Sequence, residues 1–239
     1  MKEKSLGGFL AAGIFLLSGQ TVFAEGDSLF HTRASVGYTS YAIDLSGSGS
    51  STPAATSQYL AVGGGVTYAT GNIYVNASGS TSVGATHDWP GGFEGDFTRV
   101  DSFLTVGYIL DKSWSVFGGY KYGKSEFFQT TSPGYLLTFK AYGPFGGVNK
   151  SIGFANGSSL SFSGAVAVMT GDVYDTGSIN DSGSSIGLSF STAYNLPIGA
   201  NYGLQFRGFY QKYNFDKFRT VVNANESILG ADAGFYLNL

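Results

Sequence analysis

The residues best suited to acid–base chemistry lie in one polar stretch. His87 is followed by Asp88, then Trp89-Pro90, with Glu94 and Asp96 close behind. An imidazole held by a carboxylate can take a proton from water or a hydroxyl, the first step of a hydrolysis. The chain has one other histidine, His31, and His87 has few credible partners beyond these nearby carboxylates. A second acidic stretch, Asp172, Asp175 and Asp181, offers oxygen ligands for a divalent cation, but its spacing departs from that of an EF-hand loop. Gly63-Gly64-Gly65 is followed by neither a helix pattern nor Gly-Lys-Ser/Thr, so it does not make a phosphate loop. The acidic stretches read as solvated loops, and the glycines as room for a strand to bend. The expectation is therefore no enzyme, no catalytic residues, no cofactor and no metal.

The elements that carry these residues are strands. Thirty-seven glycines and abundant serine and threonine argue against helices. Aromatic residues reach 16% and charged residues only 12%, against about 25% charged in a typical soluble protein. A net charge of −3 gives no footprint for nucleic acid. The absence of cysteine excludes disulfides, thiolate metal sites and a lipid-modified N-terminus.

Residues 1–24 read as a cleaved export signal: Lys2 and Lys4, an apolar run from Phe9 to Leu17, and a cleavage site at Val22-Phe23-Ala24. Residues 25–239 read as a single domain. Ten segments alternate with period two, at roughly 29–45, 58–70, 72–84, 98–110, 113–127, 138–150, 158–170, 184–196, 200–214 and 227–239. The clearest sets Ile186, Leu188, Phe190, Thr192, Tyr194 and Leu196 against Ser185, Gly187, Ser189, Ser191 and Ala193. Short connections at 70–72, 111–113, 153–157 and 195–199 alternate with long ones at 46–57, 85–97, 128–137, 171–183 and 216–226. Segments of this length exceed ordinary strands and suffice to cross a bilayer at a tilt. Tyr108, Trp114, Tyr194 and Tyr202 are expected in the turn-side aromatic girdle, and Tyr122, Phe127, Phe128 and Phe215 in the loop-side one. The fold expected is all-β: a transmembrane antiparallel up-and-down barrel of ten strands, with eight or twelve as the other counts the pattern allows. In lipid such a sheet must close on itself.

The last segment alternates Leu229, Ala231, Ala233, Phe235, Leu237 and Leu239 to the end of the chain. It resembles the C-terminal strand of Gram-negative outer-membrane β-barrel proteins. That resemblance implies an outer-membrane location, with both termini periplasmic and the long loops extracellular. It also implies that Phe235, Leu237 and Leu239 form an assembly signal read by the barrel-assembly machinery. The family usually ends in phenylalanine, whereas this chain ends in Leu239. Its members include proteases, adhesins, lipid-modifying enzymes and small channels, so the class does not fix the function.

If the apolar face meets lipid, the interior is rich in Gly, Ser and Ala and carries Arg33, Arg99, Asp101, Lys121, Lys140, Arg207 and Asp232. A turn centred on 111–112 would set Asp101 opposite Lys121, and Arg33 and Asp232 meet where the barrel closes. That leaves a basic excess, read either as a salt-bridged plug or as a narrow passage for anions. The functional expectation is a narrow, porin-like passive channel for small polar or anionic solutes. The alternatives are a plugged barrel that displays its loops to an extracellular ligand, and an outer-membrane hydrolase. Expected partners are outer-membrane lipid and lipopolysaccharide, the assembly machinery, and a small solute or extracellular ligand.

Overall fold

The computed structural model describes residues 28–47, 50–51, 55–89, 93–129, 136–175, 180–216 and 223–239. The export signal read at 1–24 lies outside the described residues, as does Pro90. Eleven strands run in chain order: β1 (Ser28–Gly47), β2 (Ser50–Ser51), β3 (Ala55–Thr70), β4 (Ile73–Trp89), β5 (Phe93–Ile109), β6 (Trp114–Gln129), β7 (Leu136–Gly153), β8 (Ser159–Asp175), β9 (Asn180–Pro197), β10 (Tyr202–Asp216) and β11 (Asn223–Asn238). β2 is a two-residue extension paired to the end of β1, which leaves ten long strands to wall the barrel. Each wall strand pairs antiparallel with its neighbour in sequence, and β11 pairs back to β1.

The closing pair runs from His31↔Asn238 to Ser46↔Asn223. It ends in two backbone bonds between Phe30 and Leu239, at 2.7 and 3.1 Å. The last residue of the chain thus completes the seam, where each unpaired backbone group in hydrocarbon would cost several kcal/mol. The result is a closed ten-stranded antiparallel β-barrel, all-β, and no helix among the described residues is long and apolar enough to cross a membrane.

Outside, a belt of Val36, Leu104, Val106, Phe162, Val166, Leu188, Phe190, Phe206, Leu229 and Phe235 is exposed. A soluble barrel could not leave so many large apolar side chains in water, but one set in hydrocarbon requires them. Tyr108, Trp114 and Tyr202 stand outward at the turn side, where their amphipathic rings suit headgroups.

All ten sequence segments are strands, but the strands run further toward the loop side than the alternation foretold. β4 continues to Trp89 and β5 starts at Phe93, so most of 85–97 is hairpin; β8 and β9 likewise reach into 171–183. Polar residues on the outer face, such as the cross-strand partners Thr86 and Asp96, hid this continuation. At Gly84 a positive φ of 58°, open to glycine at little cost, accompanies a register irregularity between Thr81 and Ala85. The turn Thr70-Gly71-Asn72 also needs its glycine, at φ 53°.

Candidate functional site

The interior is stratified into three layers. Nearest the short turns lies a polar layer held by side-chain amides and hydroxyls. Asn76 Nδ2 donates to Thr67 Oγ1 at 2.8 Å, and Ser78 Oγ donates to Asn76 Oδ1 at 3.0 Å. Gln205 Nε2 donates to Asn195 Oδ1 at 2.6 Å, and Ser163 Oγ to Asn149 Oδ1 at 2.7 Å. His31 also faces this layer, stacked on Tyr236 at 5.4 Å and 2.8 Å from Asn238 Oδ1. Phe117 and Phe145 fill the gaps left by small residues, edge to face at 6.2 Å.

The middle layer holds the charges. Arg99, 1% exposed, is its centre. Its Nε and Nη2 donate to the two oxygens of Asp101 at 2.6 and 2.7 Å. Its Nη1 reaches across the lumen to Glu226 Oε1 at 2.8 Å and to Ser125 Oγ at 2.7 Å. The guanidinium also lies over the Tyr41 ring at 4.6 Å. Lys121 Nζ donates to Gln211 Oε1 at 2.5 Å and to Tyr213 Oη at 3.1 Å, with Asp101 Oδ1 at 3.9 Å. On the closing side Arg33 and Arg207 converge on Asp232, Arg207 through Nε at 2.9 Å and Nη2 at 2.6 Å. Every hydrogen-bonded charge here has a partner, as burial requires.

Above the charges, toward the loops, the lumen is apolar. Tyr41, Ile43, Phe97, Phe127, Leu137, Phe139, Met169, Val173, Tyr213 and Phe215 form one buried cluster. Phe97 and Phe127 meet at 5.0 Å between centroids, and Phe139 and Phe215 at 5.3 Å edge to face. Between this cluster and the Asp232 group lies a cavity of about 40 Å³, lined by Thr39, Tyr59, Asp101, Arg207, Gln211 and Asp232 among others. At about 10–15 Å³ per water, it holds roughly three.

Several expectations are corrected by this geometry. Phe127 and Phe215 are interior packing rather than girdle residues, because the lumen at that level is apolar. Asp101 does not face Lys121. The turn closes between Leu110 and Trp114, so Asp101 pairs with Gly123 and Lys121 with Phe103, and the two charges meet only diagonally. The basic excess is also absent among the described residues. Glu226 and Asp181, which the sequence reading left among the loops, turn inward with Asp101 and Asp232 against Arg33, Arg99, Lys121 and Arg207. Lys140 is not in the lumen at all. Its neighbours Phe139 and Ala141 are the buried residues, so Lys140 stands on the outer face of β7. The rule that polar means inward reverses at this height.

His87 pairs in backbone register with Ser57 and Gly95, and Asp88 with Thr56 and Glu94. Their side chains lie outside the described residues; Asp96 is exposed. Asp172 and Asp181 sit in adjacent strands, with Asp172 accepting from Ser182 Oγ. They occupy opposite faces of the sheet, and Asp175 lies outside the described side chains. Phe235 and Leu239 face outward on the closing strand.

The fold is that of the Gram-negative outer-membrane β-barrels. No family model and no curated protein matches the sequence. Among solved structures, the chain is similar to the outer membrane protease OmpT from Escherichia coli at a TM-score of 0.64 and 10% identity, over 90% of this chain and 97% of that one. The translocator domain of the autotransporter NalP from Neisseria meningitidis matches at 0.49 and 11% identity, over 90% of each chain. Ail, the attachment invasion locus protein of Yersinia pestis, matches at 0.39 and 13% identity, over 90% of this chain and 100% of that one. The OmpT match, at 10% identity, shows a shared fold and says nothing of this chain's activity.

Proposed function

We propose that this is a sealed outer-membrane barrel whose work is done at its extracellular rim, as a surface-interaction protein, rather than a channel. The observation that carries this reading is the filled lumen. Polar, charged and apolar layers succeed one another with a cavity of about 40 Å³ between them, and the inward cations are matched by carboxylates. An anion passage needs a continuous wetted path and an uncompensated positive wall. In this reading residues 1–24 direct export, the termini face the periplasm and the long loops face outward. The strand hairpins that run past the membrane make a stiff platform for those loops.

The test is planar-bilayer conductance of the refolded 25–239 chain, beside attachment of expressing cells to an epithelial monolayer. Silent bilayers, with attachment that falls when 85–97 or 171–183 is shortened, are expected. Steady conductance reduced by neutralising Lys121 and Arg207 would overturn the sealed reading and restore the channel. Attachment no greater than that of cells lacking the protein would overturn the rim role.

A further inference from the structure

The enclosed cavity of the middle layer is lined by polar groups that are unequally bonded. Its two carboxylates are already held by cations. Asp101 accepts from Arg99 through both oxygens, and Asp232 accepts from Arg207 and Arg33. Its neutral groups are less engaged. Gln211 has its carbonyl oxygen committed to Lys121 at 2.5 Å, which fixes the amide orientation and leaves the NH2 end without an acceptor. The hydroxyls of Ser35 and Ser80 also line the cavity, and neither makes a side-chain hydrogen bond among the described residues. What the lining lacks is an acceptor.

The charge count points the same way. At this level Arg33, Arg99, Lys121 and Arg207 face Asp101, Glu226 and Asp232, four cations to three carboxylates among the described residues. The remaining inward carboxylate, Asp181, balances the lumen only as a whole. Arg207 pairs in register with Ala193 of β9. From position 193 to 181 is about 40 Å of strand, at roughly 3.3 Å per residue. Over that distance one charge does little to offset the burial of another.

The space suits a monatomic ion. A cavity of about 40 Å³ takes roughly three waters, which is room for one halide with a companion water but not for a tetrahedral oxyanion. A metal cation would meet the Arg207 guanidinium and carboxylates that are already bonded.

We infer that the cavity holds one chloride ion, bound by Gln211 Nε2, the Ser35 and Ser80 hydroxyls and the Arg207 guanidinium. Donors fixed by the strands replace the ion's hydration, and the guanidinium adds a charge-assisted bond. The ion completes the balance of the middle layer and is enclosed as the barrel folds. The inference rests on the enclosed cavity and not on any role of the rim.

The test is urea unfolding of the refolded 25–239 chain in phosphatidylcholine vesicles, with chloride exchanged for gluconate at constant ionic strength. An ion held only by the folded state lowers the unfolding constant about tenfold for each tenfold rise in chloride, once the site is mostly filled. Gluconate is too large to enter. Q211E keeps an acceptor for Lys121 but puts a carboxylate oxygen where the NH2 stood, and should lose the chloride dependence. S35A/S80A should weaken it, and K212Q, exposed on the outer wall, should keep it in full. Bromide should replace chloride, and crystals of the bromide-refolded chain should show one anomalous peak beside Gln211 and Arg207. A wild type indifferent to chloride, or a cavity without a bromide peak, would overturn the assignment and leave the space to water. Full dependence in both Q211E and S35A/S80A would overturn it in favour of a salt effect at the surface. If Q211E failed to fold, S35A/S80A and the bromide peak would decide by the same criteria.

Discussion

Along β10 the outer face runs Phe206 and Tyr210, then Lys212, Asn214 and Asp216; the inner face runs Gln205 and Arg207, then Tyr213 and Phe215. The backbone parity never changes, yet the chemistry of the two faces exchanges. β5 and β6 do the same, with Phe97 and Phe127 inside where Asp96, Thr98 and Glu126 are outside. The turn-side part of the barrel is an inside-out protein, apolar toward lipid and polar within. The loop-side part is built like a soluble domain, with water on its outer wall and an apolar core. The exchange marks where the solvent outside changes from hydrocarbon to water, and the Arg99 network lies at the junction.

Six substitutions in four tests separate these regions, taken from the largest effect to the smallest. Arg99→Met takes the bridging cation from Glu226 and leaves Asp101 only Lys121 at 3.9 Å, and should cost about 3–5 kcal/mol in urea unfolding from lipid vesicles. A loss under 1 kcal/mol would mean that water reaches the network, against the filled lumen. Phe127→Ala should cost about 3–4 kcal/mol through the cavity it opens, whereas Leu188→Ala on the lipid face should cost about 1–2, since lipid tails refill its space. Equal losses would erase the distinction between core and lipid face.

Charge insertion sharpens the boundary. Phe206→Lys should cost about 2–4 kcal/mol, while Asn214→Lys should cost less than about 1 because that position stands above the hydrocarbon. A reversed order would place the membrane band elsewhere. The smallest effect belongs to Asp111 in a turn. The Ser113 backbone N–H at 2.6 Å, the Ser113 hydroxyl at 2.9 Å and the Trp114 N–H at 2.9 Å hold its carboxyl below the ordinary value. A lowered folded pKa contributes stability that is full above the unfolded carboxylate value and vanishes as pH falls through the folded one. The stability gap between wild type and Asp111→Asn should therefore narrow as the medium is acidified through that range. A gap that ignores pH would show that the turn bonds do not act through the carboxylate.

Much of the architecture was legible in residue order because lipid enforces a plain alternation. Ile186 to Leu196 and Leu229 to Leu239 each name their outer face, and the ten strands follow. The same rule misplaced Phe127, Phe215 and Lys140, since alternation gives two faces but not which solvent each one meets. Glu226 was hidden for a related reason. It reads as a loop residue until the pairing Ile43↔Glu226 carries β11 that far and turns the side chain toward Arg99.

The sequence by itself determined the closed barrel, because period-two patterning, short turns and a terminal strand leave the backbone one way to satisfy its hydrogen bonds in lipid. Only the tertiary structure decided which side chains meet in the lumen. Which side chains meet across a lumen depends on register between strands far apart in sequence, as Arg99 and Glu226 show. A two-residue change in a turn, such as the one that separates Asp101 from Lys121, re-sorts those contacts without leaving a mark in the pattern.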